Sequence, residues 1–155
     1  MADPQIIDSL NEILTAELTA INQYYVHSKM LDNWGYKRLA KKKREESMSE
    51  MKDADEIIER ILYLEGVPNL QRLNSVRVGQ DAVEQHRLDL EMEREAIERL
   101  NRIIELCRHK SDNGTRYMLD RILKEEEVSA DWLQGQLHII GEIGKERYLI
   151  EQMHD

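Results

Sequence analysis

Apolar residues recur at steps of three and four along four long stretches of this chain, a periodicity that commits it to a bundle of amphipathic helices. The first stripe is Leu10, Ile13, Glu17, Ile21, Tyr24 and Leu31. The second is Leu39, Ser47, Glu50, Asp53/Ala54, Ile57, Ile61 and Leu64. The third runs Val83, His86, Leu90, Glu93, Ile97, Leu100, Ile104 and Cys107. The fourth runs Leu119, Ile122, Leu123, Glu126, Ser129/Ala130, Leu133, Leu137 and Ile140. Composition agrees: 34% of residues are charged, Phe is absent and there are only 2 Pro, which suits long helices.

The breaks between stripes fix the topology. Asp3 caps and Pro4 opens a predicted first helix that reaches Asn33, and Asn33-Trp34-Gly35 is a tight turn. The second helix is expected over Tyr36–Leu64, the third over Asp81–His109 and the fourth over Thr115–Ile143, after the turn Ser111-Asp112-Asn113-Gly114. A short fifth helix fits Glu146–Met153, behind Gly144. Between Gly66 and Gln80 there is no helical period, and Pro68, Asn69, Asn74, Ser75 and Gly79 punctuate the segment. A connection of about fifteen residues is long for a compact domain. Extended, it reaches roughly 50 Å, more than the roughly 42 Å of a 28-residue helix. It can therefore carry the chain back along the whole bundle. The expectation is one all-α domain over residues 1–155, a four-helix bundle with one long crossover and a short C-terminal helix.

Each stripe carries one glutamate near its middle: Glu17, Glu50, Glu93 and Glu126. A buried carboxylate is costly unless it is paired or binds a cation. Four at matching heights, one per helix, point to a metal or a large ionic cluster. Di-iron carboxylate bundles use this constellation, with one Glu from each of two helices and a Glu-x-x-His from each of the others. Here Glu50-Met51-Lys52-Asp53 and Glu126-Glu127-Val128-Ser129 stand where those two pairs belong, and neither has its histidine. The Glu-x-x-His at Glu151–His154 is too near the chain end to reach mid-bundle.

Several segments then resemble the bacterioferritins over essentially the whole length. They are residues 16–24 (Ala-Glu-Leu-Thr-Ala-Ile-Asn-Gln-Tyr), Asn33-Trp34-Gly35, Glu50-Met51-Lys52, Ala54-Asp55, residues 59–66 (Glu-Arg-Ile-Leu-Tyr-Leu-Glu-Gly), residues 68–71 (Pro-Asn-Leu-Gln) and Asp131-Trp132-Leu133. The resemblance implies the ferritin-like bundle and a 24-subunit shell that oxidises ferrous iron and stores a ferric mineral. It implies b-type haem between paired subunits, with Met51 as axial ligand. It also implies that Glu50 and Glu126 bridge two irons and that Glu17 and Glu93 are terminal ligands. The family's two histidine positions fall on Asp53 and Ser129. Asp53 can still offer oxygen to a hard cation, whereas a protonated Ser129 is a weak ligand.

Three functions follow from this pattern. In the first, the chain is a haem-binding subunit with a degenerate ferroxidase site, co-assembling with a ferroxidase-competent bacterioferritin chain and served by a ferredoxin-type electron donor. In the second, it is an active ferroxidase with an altered all-carboxylate site. In the third, it is a structural helical interaction protein that has kept only the fold.

The remaining signals are weaker. A net charge of −9 disfavours nucleic acid. The lone Cys107 fits a reducing compartment. Met1-Ala2-Asp3-Pro4 lacks the features of a secretion signal and no apolar run spans a bilayer, so a cytoplasmic protein is expected. Tyr24 is either a hydrogen-bond partner of a site carboxylate or a plain core residue. His86 reads as a satisfied core or channel histidine. His27, His109 and His138 have no acidic partner at a ligand spacing, and Lys41-Lys42-Lys43-Arg44 reads as a solvated face with i,i+4 pairs.

Overall fold

The computed structural model describes residues 3–154; Met1, Ala2 and Asp155, which belong to the N-terminal reading and to the 1–155 span, lie outside the described residues. The chain forms α1 (Pro4–Trp34), α2 (Lys37–Tyr63), α3 (Ala82–His109), α4 (Asn113–Ile143) and α5 (Lys145–Glu151). This is the ferritin-like four-helix bundle with its short fifth helix. Among the described residues, no helix is long and apolar enough to cross a membrane.

Caps explain the boundaries, including those that differ from expectation. Asp3 accepts from the backbone N–H of Gln5 and Ile6, with Pro4 behind it in the first turn. Gly35 adopts φ 92°, the left-handed conformation that closes α1 and turns the chain into α2. Tyr36 and Leu64 cap α2 rather than belonging to it, and Asp81 caps α3. α4 begins two residues earlier than the sequence suggests because Asp112 accepts from both the N–H and the Oγ1 of Thr115, drawing Asn113 and Gly114 into the first turn. Arg60 braces that cap from α2 at 3.0 Å. α5 spans Lys145–Glu151 and stops short of Met153.

The core is apolar at its two ends and polar in the middle. At one end Leu10, Ile13, Leu14, Ile57, Ile61, Leu100, Ile103, Leu119 and Ile122 pack together with the buried Cys107. At the other end Leu31, Leu39, Ala40, Ala82 and Tyr148 form a smaller cluster. Ile97 and Ile104, expected inside, are only half-buried; Ala96 and Ile103 take the inward positions on α3. Leu137 and Ile140 of α4 are likewise half-buried. There α5 folds across the bundle end, and Tyr148 hydrogen-bonds His86 at 2.9 Å and Gln136 at 2.6 Å.

The crossover lies along α1 and is held by a polar row whose members are four or eight residues apart. Asn11 accepts from Asn69 N–H and donates to the Val67 carbonyl; Thr19 accepts from Asn74 N–H; Gln23 accepts from Arg77 N–H; His27 accepts from Gly79 N–H. These bonds satisfy backbone groups that an irregular segment would otherwise leave open. Gly79 is required here, since a Cβ would sit 2.5 Å from Gln85 N. The crossover thus returns the chain to the end where α2 began, so α2 and α4 run antiparallel and face each other across the centre.

Candidate metal centre

Midway along the bundle, Glu17 of α1, Glu50 and Asp53 of α2 and Glu126 of α4 each offer one oxygen, all within 4.8 Å of one another. Glu93 of α3 faces the same space, and a cavity of ≈ 30 Å³ lies among Glu17, Glu50, Glu93 and Glu126. That is room for an ion or a water or two. All five carboxylates are at most 2% exposed. The helical step places them there: each sits one or two turns from apolar residues on the same face.

These groups are short of partners. Among the described residues, Glu17 Oε2, Glu50 Oε2, Asp53 Oδ2 and both oxygens of Glu93 have no hydrogen-bond donor. Burial, followed by the charge of Glu126, pushes Glu17 and Glu50 well above the usual carboxylate range, and the same two causes raise Glu93. Burial raises Asp53 to about 8 and Glu126 to about 7. Buried acids raised in this way, with unpartnered oxygens around a shared space, form a cluster whose protons can be exchanged for cations.

The two positions without histidine differ in their surroundings. Asp53 is approached by Arg121, whose Nη1 lies 3.7 Å away and is bound more closely by Glu125 at 2.5 Å. Ser129 donates its hydroxyl to Glu46 at 2.8 Å. Glu46 also pairs with Lys42 at 3.2 Å. Neither Arg121 nor Glu46 was singled out by sequence; Glu46 was legible, being one turn before Glu50 on the same face, while Arg121 reaches in from α4 by a long side chain. Tyr24 is buried and its hydroxyl has no hydrogen-bond partner among the described residues, so of its two readings the plain core tyrosine is the one seen; burial pushes its hydroxyl up. Of Glu125, Glu126 and Glu127, only Glu126 is fully buried, as the stripe requires.

Met51 lies outside this cluster. It is 54% exposed on the outer side of α2, with Met48 60% exposed one turn earlier. Glu151 and His154 are exposed in the C-terminal segment, away from the bundle centre.

One turn from the acids lies a second polar layer that overturns two expectations. Lys43 is not on a solvated face: it is fully buried, with Nζ 2.5 Å from Asp89 Oδ2. His27 does have an acidic partner, brought by folding rather than by spacing: its Nδ1 lies 3.0 Å from Asp89 Oδ1. Because Nε2 accepts from Gly79 N–H, Nδ1 carries the proton and donates to Asp89. Gln23 donates to the same oxygen at 2.9 Å. Burial opposes the charge on Asp89, but Lys43 and His27 outweigh it and hold the carboxyl well below the usual range. The recurrence of Asn11, Thr15, Thr19, Gln23 and His27 at steps of four was the available signal for a buried polar seam.

Known proteins agree with this architecture. A family model described as a ferritin-like domain matches residues 7–143. A protein of Mycobacterium leprae named bacterioferritin is 48% identical over 146 residues, covering 94% of this chain and 92% of its own. A bacterioferritin of Streptomyces coelicolor is 49% identical over 147 residues, covering 95% and 88%. One of Brucella melitensis is 42% identical over 146 residues, covering 94% and 91%. With the bundle, the crossover and the buried carboxylates all in place, this chain belongs to the bacterioferritin family.

Proposed function

We propose that the chain is a subunit of a cytoplasmic iron-storage shell whose buried di-iron centre has lost its oxidising competence, and that it contributes haem and shell surface alongside a ferroxidase-competent bacterioferritin chain. The observation that carries this reading is the state of the two former histidine positions. Asp53 faces Arg121, and Ser129 spends its hydroxyl proton on Glu46, so neither offers the neutral nitrogen that holds iron through a redox cycle. Glu17, Glu50, Glu93 and Glu126 remain as oxygen ligands for iron as substrate.

Haem fits the outer surface of α2. Met51 presents an exposed thioether beside Met48, free to meet an iron shared with a second copy of the chain. When bound there, haem supplies a one-electron path, and thioether ligation favours its ferrous state. A ferredoxin-type donor would feed that path to release stored iron.

Two experiments test the proposal. The visible spectrum of the reduced shell is expected to show bis-thioether haem, lost in Met51→Leu; an unchanged spectrum in the variant rules out Met51. Shells purified from the native host are expected to contain a second chain with Glu-x-x-His on both helices; shells built of this chain alone refute the co-assembly. The second reading, an active ferroxidase with an all-carboxylate centre, draws on the 4.8 Å grouping of Glu17, Glu50, Asp53 and Glu126.

A further inference from the structure

We infer that Glu46, rather than Ser129, completes the metal centre on its Glu93 side, turning the site into an all-oxygen one for hard cations such as Mn²⁺ and ferric iron. The inference rests on the reading of the carboxylate cluster as a metal site and adds a ligand to it.

Glu46 stands one helical turn before Glu50, half-buried at the edge of the face of α2 that points into the bundle. α4 runs antiparallel to α2, so Ser129, one turn past Glu126, comes opposite Glu46 just as Glu126 comes opposite Glu50. The 2.8 Å bond from Ser129 Oγ to Glu46 Oε2 makes that register explicit. Serine is shorter than histidine, and here its hydroxyl is joined to the carboxylate of Glu46.

A further observation bears on this corner of the cluster. Glu93, fully buried, has both oxygens unpartnered at the cavity beside Glu126, so this half of the cluster lacks a counter-charge. A cation in that cavity would meet Glu93, Glu126 and Glu50, and Glu46, joined to Ser129 just outside its lining, is the carboxylate that would turn in to supply a further oxygen. Its other oxygen is held by Lys42 in an i,i+4 pair with partly exposed partners. Such a pair is weak and easily released, which leaves the flexible Glu46 side chain free to turn inward. With oxygen donors throughout, the centre prefers hard cations over zinc, which favours nitrogen and sulfur ligands.

The test uses the full chain, demetallated and titrated with Mn²⁺, with bound ions counted and their magnetic coupling read by electron paramagnetic resonance. The natural chain is expected to bind about two Mn²⁺ per subunit as a coupled pair. Glu46→Gln is expected to bind about one, uncoupled, and Glu46→Asp, which keeps the charge but falls short, to do the same. Glu45→Gln, an exposed neighbour, is expected to match the natural chain. Lys42→Gln is expected to tighten the second ion several-fold. A coupled pair that persists in Glu46→Gln and Glu46→Asp overturns the inference while leaving the metal site standing. Mn²⁺ binding that is absent, or unaffected by Glu17→Gln, refutes the metal site itself and this inference with it.

Discussion

Replacing Lys43 by Met tests whether the buried charge network is as tight as its distances imply. Asp89 would keep Gln23 and His27 as donors but lose its charged partner Lys43, 2.5 Å away. Removing one member of a buried pair costs about 3–5 kcal/mol. A second route gives a similar bound. The folded variant can escape the unpaired charge by protonating Asp89. At pH 7 that costs about 1.4 kcal/mol for each of roughly three pH units above the ordinary Asp value, so about 4 kcal/mol. The same reasoning predicts a loss of only about 1.5 kcal/mol at pH 5. The assay is guanidinium unfolding of natural and variant protein, followed by far-ultraviolet circular dichroism at both pH values. Adding Asp89→Leu should recover most of the stability, since an apolar pair can replace a buried ionic one. A deficit at pH 7 below about 1 kcal/mol, or one that does not shrink at pH 5, would refute the account of Asp89 as a charged group held by Lys43.

Three other outcomes follow from the same geometry. The metal-free protein should lose stability as pH rises from about 4 to about 8: Asp53 and Glu126 have folded values raised to about 8 and about 7, so the stability their protons confer is full below the unfolded values and is lost as pH climbs through the folded ones. Melting temperatures across that range check it, and an Mn²⁺-saturated sample should show a flatter profile with protons released on binding. Gly79→Ala should loosen the crossover by about 1–3 kcal/mol, because its Cβ meets Gln85 N at 2.5 Å and disturbs the bond to His27; limited proteolysis between Gly66 and Gln80 is the readout. Cys107, buried and with its thiol pushed up to about 11 by that burial, should resist thiol reagents until the protein unfolds.

What the sequence reveals and hides here divides by the kind of interaction. Residues that act along one helix were legible: the stripes, the inward choice of Glu126 over its neighbours, the Asp3 cap and the crossover all follow from local spacing. Residues that act between helices were not. Lys43 stands in a run of four cations and looks solvated; only the packing of α1, α2 and α3 shows that it faces Asp89. Asp89 itself sits between Leu88 and Leu90 and falls off the stripe as drawn, so its burial depends on a neighbouring helix. The same holds at the metal centre. The missing histidines were visible at Asp53 and Ser129, and Glu46 could have been read one turn before Glu50, but Arg121 reaches Asp53 from α4 by a long side chain that no spacing announces.

The central claim is that a bacterioferritin fold with this carboxylate set does not turn over iron by itself. Its most direct test is aerobic oxidation of ferrous iron, at about two irons per subunit, by shells of this chain alone and by shells carrying Asp53→His and Ser129→His together. The account predicts slow oxidation by the natural chain and fast oxidation once both imidazoles are restored. Fast oxidation by the natural chain would contradict it, and would make the all-oxygen centre a working ferroxidase.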